Sequence, residues 1–131
     1  MLKEIIKEIL KEELQNGEKK VDIQKKEEKL DAIDNFFIGK KVIIRTYSAG
    51  VFFGEVFMKN GEEVIIKDAR RLYYWKTKNK GISISEIAND GLDNTSKVCE
   101  KVDKIYLIAI ELILCTEKSI KNIEGQNDYK A

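Results

Sequence analysis

Only three of the 24 basic residues in this chain are arginine, and all three (Arg45, Arg70 and Arg71) fall within 27 residues. A chain that uses lysine almost everywhere for plain positive charge concentrates arginine where a guanidinium is needed. That group is a planar fork suited to bidentate binding of phosphate or carboxylate and to stacking on rings. Tyr47, Tyr73, Tyr74 and Trp75 lie beside these arginines in sequence. Forks for phosphates and rings for a base are what a site for a nucleotide-type ligand needs. The turn Ser48-Ala49-Gly50 offers successive backbone N–H groups as a small anion nest, with the Ser48 hydroxyl as a further donor. It is not a phosphate loop, since neither Gly-Lys-Ser/Thr nor a helix follows it. The candidate ligand-binding set is Arg45, Tyr47, Ser48, Gly50, Lys67, Arg70, Arg71, Tyr74 and Trp75. Two other readings compete: cross-strand salt bridges of Arg45 and Arg70 or Arg71 with Glu55, Asp68 or Glu111, and an oligomer interface.

Catalysis has little support. The chain has no histidine, which removes the commonest general base and transition-metal ligand. No Ser or Cys stands beside a base, and no paired-carboxylate motif is evident, so a non-enzyme without cofactor or metal is expected. Cys99 and Cys115 match no zinc or redox spacing and read as reduced, half-buried thiols. The net charge of +1 divides as −2 over residues 1–39, +6 over 40–80 and −3 over 81–131. A cationic middle in a near-neutral chain suggests a local anion site more than a general affinity for polyanions. The longest apolar run, Ile105 to Cys115, is interrupted by Glu111 and is too short to span a membrane. The charged N-terminal pattern is not a signal peptide, and a cytoplasmic location is expected.

Residues 1–15 place Leu2, Ile5, Ile6, Ile9, Leu10 and Leu14 on one helical stripe, with Glu4–Lys7 and Glu8–Lys11 pairs outside it. Asn16-Gly17 ends that helix, and residues 18–38 read as a second, more polar one. The helices either cover the sheet that follows or drive self-association, so a homo-oligomer is expected. Val42–Tyr47, Val51–Met58, Glu63–Lys67 and Arg70–Trp75 read as strands, with turns at Ser48–Gly50 and Asn60-Gly61 and a bend at Asp68-Ala69. Ser83 and Glu86 form a capping-box pattern for a short helix closed by Gly91. Val98–Lys101 reads as a short strand and Lys104–Cys115 as a long, largely buried one. Thr116 caps a last helical turn before a tail expected to fray. The fold class is α+β: N-terminal helices (1–36) packed on a small, strongly curved antiparallel sheet or barrel of five to six strands (37–117), then a polar tail (118–131).

Three segments, R-T-Y-S-A-G-V at 45–51, K-D-A-R-R-L-Y-Y-W at 67–75 and C-T-E at 115–117, resemble a family of small bacteriophage and prophage proteins. Those proteins carry a D-A-R-R-L-W-Y-W strand and a late strand ending in P-C-T-E. Tyr73 stands here where tryptophan is usual and Leu114 where proline is usual. The resemblance covers Phe37 to Glu117 and implies a phage context, hence a host-cell cytoplasm, without an activity to transfer. E-V-I-I-K-D-A at 63–69, after an N-terminal helix, has the rhythm of Sm-like RNA-binding barrels, a likeness of architecture only. The expected function is a binding module for a small phosphate-bearing ligand, of the kind that sequesters a nucleotide signal of bacterial immunity. A nucleic-acid-binding module and a structural or partner-binding phage protein are the alternatives.

Overall fold

Runs of β-branched and aromatic residues suit a pleated surface better than a helix, and they set the strands of this chain. The computed structural model describes Lys3 and residues 32–130. Its strands are β1 (Lys41–Thr46), β2 (Val51–Asn60), β3 (Glu63–Tyr74), β4 (Lys97–Val98) and β5 (Val102–Leu114). Two helices, α1 (Ile84–Asp90) and α2 (Glu117–Glu124), accompany them, and residues 32–37 are also helical. The chain divides into two compact units, Met1–Phe36 and Phe37–Ala131, and every strand among the described residues belongs to the second. The fold is α+β and mostly strand, a five-stranded antiparallel sheet with short helices. The helix expected over residues 1–15, whose apolar stripe argued for an oligomer, lies outside the described residues except for Lys3, and the second, expected over 18–38, lies outside them as far as residue 31.

β1 pairs with β2 and β5, and β3 pairs with both as well, so four strands close a ring and β4 extends β3 beyond it. Closure buries both faces of the strands at one end. Ile44, Phe52, Val56, Val64 and Ile66 fill the inside of the ring. Ile43, Phe53, Leu72 and Val98 meet Ile87, Ala88 and Ile123 of the two helices outside it. Neighbouring residues such as Ile43 and Ile44, or Phe52 and Phe53, therefore serve different cores, which is why these stretches are continuously apolar. Each such side chain contributes about 1.5–3 kcal/mol on burial.

The segments read as a third and a fourth strand form one strand with a β-bulge at the expected bend. Glu55 pairs with Lys67 and Phe53 with Arg70, so Gly54 faces both Asp68 and Ala69. Asp68 takes a left-handed φ of 51°, a conformation that Asp tolerates better than most residues. Gly54 is needed opposite it, because a Cβ there would lie 2.4 Å from Ile66 Cγ2 and 3.0 Å from the Lys67 carbonyl oxygen. The extra residue reverses which side chains face the ring. Val64 and Ile66 point inside before the bulge, whereas Arg70 and Leu72 point to the outer core after it.

Arg70 is thereby buried, at 1% exposure, and its guanidinium is fully engaged. Nε donates to the Cys99 carbonyl at 2.9 Å, Nη1 to the Ile123 carbonyl at 2.8 Å and Nη2 to Asp128 Oδ1 at 2.8 Å. One side chain ties β3 to the segment after β4, to the C-terminal end of α2 and to the tail. The tail is consequently ordered, contrary to the frayed end expected from its polarity. Asp128 forms a parallel bridge with Val98, and the Tyr129 N–H donates to the Val98 carbonyl at 2.7 Å.

Other sequence expectations meet local competition. Ser83 is the N-cap of α1 but makes no side-chain cap, and Glu86 instead accepts from Asn79 Nδ2 at 2.9 Å. The capping box is therefore not formed. Thr116 does cap α2, accepting from the Ser119 N–H at 3.2 Å. Gly91 ends α1 at φ 92°, and its bare Cα also leaves room for Asn122, which a Cβ would approach to 2.5 Å. In the Asn60-Gly61 hairpin, Gly61 and Glu62 form the two-residue loop and only Gly61 has positive φ, so the turn is not type I′. β5 is not largely buried: Tyr106, Ile108 and Ile110 alternate on the outside of the ring, while Leu107 and Ala109 point in.

Two stability predictions follow from these contacts. Arg70→Lys, with a compact ammonium that cannot reach three separated acceptors, should lower unfolding stability by about 2–4 kcal/mol in urea melts. Asp68→Gly should be neutral to within about 1 kcal/mol, whereas Asp68→Ile should cost about 1–2 kcal/mol, since a β-branched residue resists positive φ.

Candidate functional site

The register sends the three arginines to three different environments. Arg45 shares a row with Val51 and Leu72, whereas Arg71 shares one with Phe52 and Ile44. The first row faces the outer core and the second the inside of the ring, so Arg45 and Arg71 point to opposite faces. Arg45 is exposed, with Nε 3.6 Å from Glu111 Oε1, one of the cross-strand pairings weighed from the sequence. Arg70 is the buried staple and is spent on structure. Arg71 is exposed at the end of the ring, where Nη1 donates to the Ala49 carbonyl at 2.8 Å and the guanidinium lies 4.5 Å from the centre of the Phe52 ring. It is the one arginine that meets no carboxylate among the described residues.

The turn that Arg71 touches partly satisfies itself. Thr46 Oγ1 accepts from the Ala49 N–H at 2.9 Å and donates to the Gly50 carbonyl at 2.8 Å. The nest expected at Ser48–Gly50 has therefore lost its middle donor, while the Ser48 and Gly50 N–H groups have no acceptor among the described residues. Gly50 adopts φ 99°, as a tight turn here demands. Tyr47 projects from the turn, 87% exposed. On its other side, a cleft of about 210 Å³ separates Tyr47, Ser48 and Ala49 from Tyr106 and Ile108 of β5. Glu63 accepts from the Tyr106 hydroxyl at 2.7 Å, which pushes the Tyr106 pKa up.

Further along β3, Tyr73 is exposed and stacks on Tyr129, with ring centres 5.7 Å apart and planes 11° from parallel. Lys97 Nζ lies 5.0 Å from the centre of the Tyr129 ring and 5.9 Å from that of Tyr74. Tyr74 is itself 43% exposed, and Trp75 is half-buried against the outer core. Lys67 lies beyond the bulge between Glu55 and Lys104, about 13 Å along the strand from Arg71. The structure thus brings together Arg71, Ser48 and Gly50, with Tyr47 on the same turn, and separates Arg45, Lys67, Arg70 and Trp75 from them. Sequence reasoning missed Lys97 and Tyr129. Tyr129 carried one signal, as the only aromatic in an otherwise polar tail.

The chain has two cysteines, Cys99 and Cys115. Both are free and half-buried, just past the ends of β4 and β5. Burial pushes the Cys115 thiol up to about 11, against a smaller lowering by its contact with Ser119. At pH 8 roughly one part in a thousand would be thiolate, the reactive form. Cys115 should therefore resist alkylation by iodoacetamide in the native protein and react on denaturation, as read by peptide mass spectrometry. No helix among the described residues is long and apolar enough to cross a membrane.

No curated protein and no solved structure matches this chain. One family does match, over residues 39–123, which span β1 through nearly all of α2 and include Arg71 and the turn beneath it. By that match the chain belongs to the family described as a domain of unknown function, DUF6948.

Proposed function

We propose that this chain is a non-enzymatic binding module for a small phosphate-bearing ligand, held at the Arg71 end of the ring. The observation that carries the reading is the Arg71 guanidinium. It is exposed, free of carboxylate partners among the described residues, and fixed from behind by the Ala49 carbonyl and the Phe52 ring. A guanidinium oriented in this way loses little freedom on binding an anion, and its remaining N–H groups suit phosphate geometry. The Ser48 and Gly50 N–H groups supply neutral donors, Lys97 a second positive charge, and Tyr47 and Tyr73 exposed rings. In a phage context this chemistry fits sequestration of a nucleotide signal of host immunity, in the host cytoplasm.

A second reading is single-stranded nucleic acid, favoured by the openness of the Tyr73 and Tyr74 surface. The two differ in salt dependence, which is steep for a polyanion and shallow for a small ligand.

A thermal-shift screen against mono-, di- and cyclic nucleotides and a short RNA tests both. A nucleotide near 100 times its Kd should raise stability by about 2.7 kcal/mol. The shift should vanish in Arg71→Ala and persist in Arg45→Ala, whose side chain lies on the other face. An RNA shift that collapses with salt would move the assignment to nucleic acid. The absence of a shift with every nucleotide would remove the small-ligand reading.

A further inference from the structure

We infer that the C-terminal tail is part of this site, and that the Arg70–Asp128 pair acts as a positioning device that makes the site select ligands bearing a planar ring. The inference rests on the ligand reading above and adds what sets its specificity.

Asp128 and Tyr129 are consecutive residues of a segment that runs parallel to β4, so their side chains leave on opposite sides. Asp128 points to the outer core, where Arg70 Nη2 meets it at 2.8 Å. Tyr129 points the other way and stacks on Tyr73, two residues along β3 from Arg71. The tail has few other anchors here: the 2.7 Å backbone bond to Val98 and the contact of Lys97 with the Tyr129 ring. Without the ion pair, in which Arg70 is buried and Asp128 half exposed, little would hold Tyr129 in place. Without Tyr129, Tyr73 would be a solvated tyrosine free to change rotamer.

A fixed tyrosine offers a ring-bearing ligand a preformed stacking surface, whereas a mobile one must be ordered on binding. Arg71 and the turn can bind a phosphate with or without this platform. The division of labour is therefore specific: Arg71 provides affinity for phosphate, and the tail adds the preference for a ring. The tail lies beyond the stretch matched by the family, residues 39–123.

The test uses the full chain with two probes, adenosine monophosphate and ribose 5-phosphate, by isothermal titration calorimetry. In the wild type the nucleotide should bind about tenfold tighter than the sugar phosphate, the size of one base-stacking contribution. Asp128→Asn should erase that difference while leaving ribose 5-phosphate affinity unchanged. Tyr129→Ala, which keeps the ion pair, should do the same, and Tyr129→Phe should retain the preference. Near-UV circular dichroism should lose the tyrosine band of the stacked pair in Asp128→Asn and Tyr129→Ala alike, which a general loss of stability below its transition would not produce. If the nucleotide binds and both variants keep its preference, the tail has no such role. If neither probe binds the wild type, the ligand reading falls, and the specificity inference falls with it.

Discussion

The structure depends on the burial of one charge. Taking a guanidinium out of water costs several kcal/mol, and it is tolerated only when every side of the group finds a partner. Arg70 finds a backbone carbonyl after β4, the carbonyl at Ile123 near the C-terminus of α2, and the Asp128 carboxylate. Each comes from a different part of the chain, so the arginine is satisfied only when β3, β4, α2 and the tail are all in place. The helix end gains as well, because its unpaired carbonyls and the negative end of its dipole meet a cation. An ion pair of this kind is modest evidence for stability as such. Its value is that alternative packings of helix and tail strand a buried charge.

That arrangement rests on the bulge at Asp68. In an unbroken strand Arg70 would follow Ile66 into the ring, where Phe52 and Ile44 leave no acceptors for it, and Arg71 would face the outer core. One extra residue opposite Gly54 exchanges the two. The bulge also re-aims β3, whose pairing with β5 ends at Ala69 and whose pairing with β4 begins at Leu72. The placing of Arg70 and Leu72 in the outer core and the exposure of Arg71 therefore share one cause.

Much of this was legible in the sequence, and what was not has definite physical reasons. Turn residues and β-branched runs marked the strands, and the arginine–aromatic stretch marked the part of the chain that carries the exposed guanidinium. Alternation over Arg70–Trp75 groups Arg71 with Tyr73 and Trp75 and sets Arg70 and Tyr74 apart, but Trp75 packs with the outer core instead, because the register of β3 on β4 slips between Leu72 and Tyr74. Alternation could not say which group faces out, since that depends on how the Asp68 bend is taken up across the pair with β2. The capping box at Ser83 failed because Asn79, a loop residue, claimed Glu86. The tail read as frayed because nothing local signals that Asp128 answers an arginine 58 residues earlier.

Placing a structural and an exposed arginine side by side on one strand couples stability to the candidate site. Arg70 and Arg71 share a peptide bond, so a change that shifts β3 to satisfy one guanidinium moves the other. The Cys99 N–H donates to the Arg71 carbonyl at 2.9 Å, and the Cys99 carbonyl accepts from Arg70 at 2.9 Å, so a single residue holds both. The backbone under Arg71 is thus clamped by the network that buries Arg70, and the guanidinium tip is clamped by Ala49 and Phe52. Rigidity at both ends is costly to build on a flexible surface loop and comes here from contacts the fold already requires. A binding surface on this strand end borrows its preorganisation from the core.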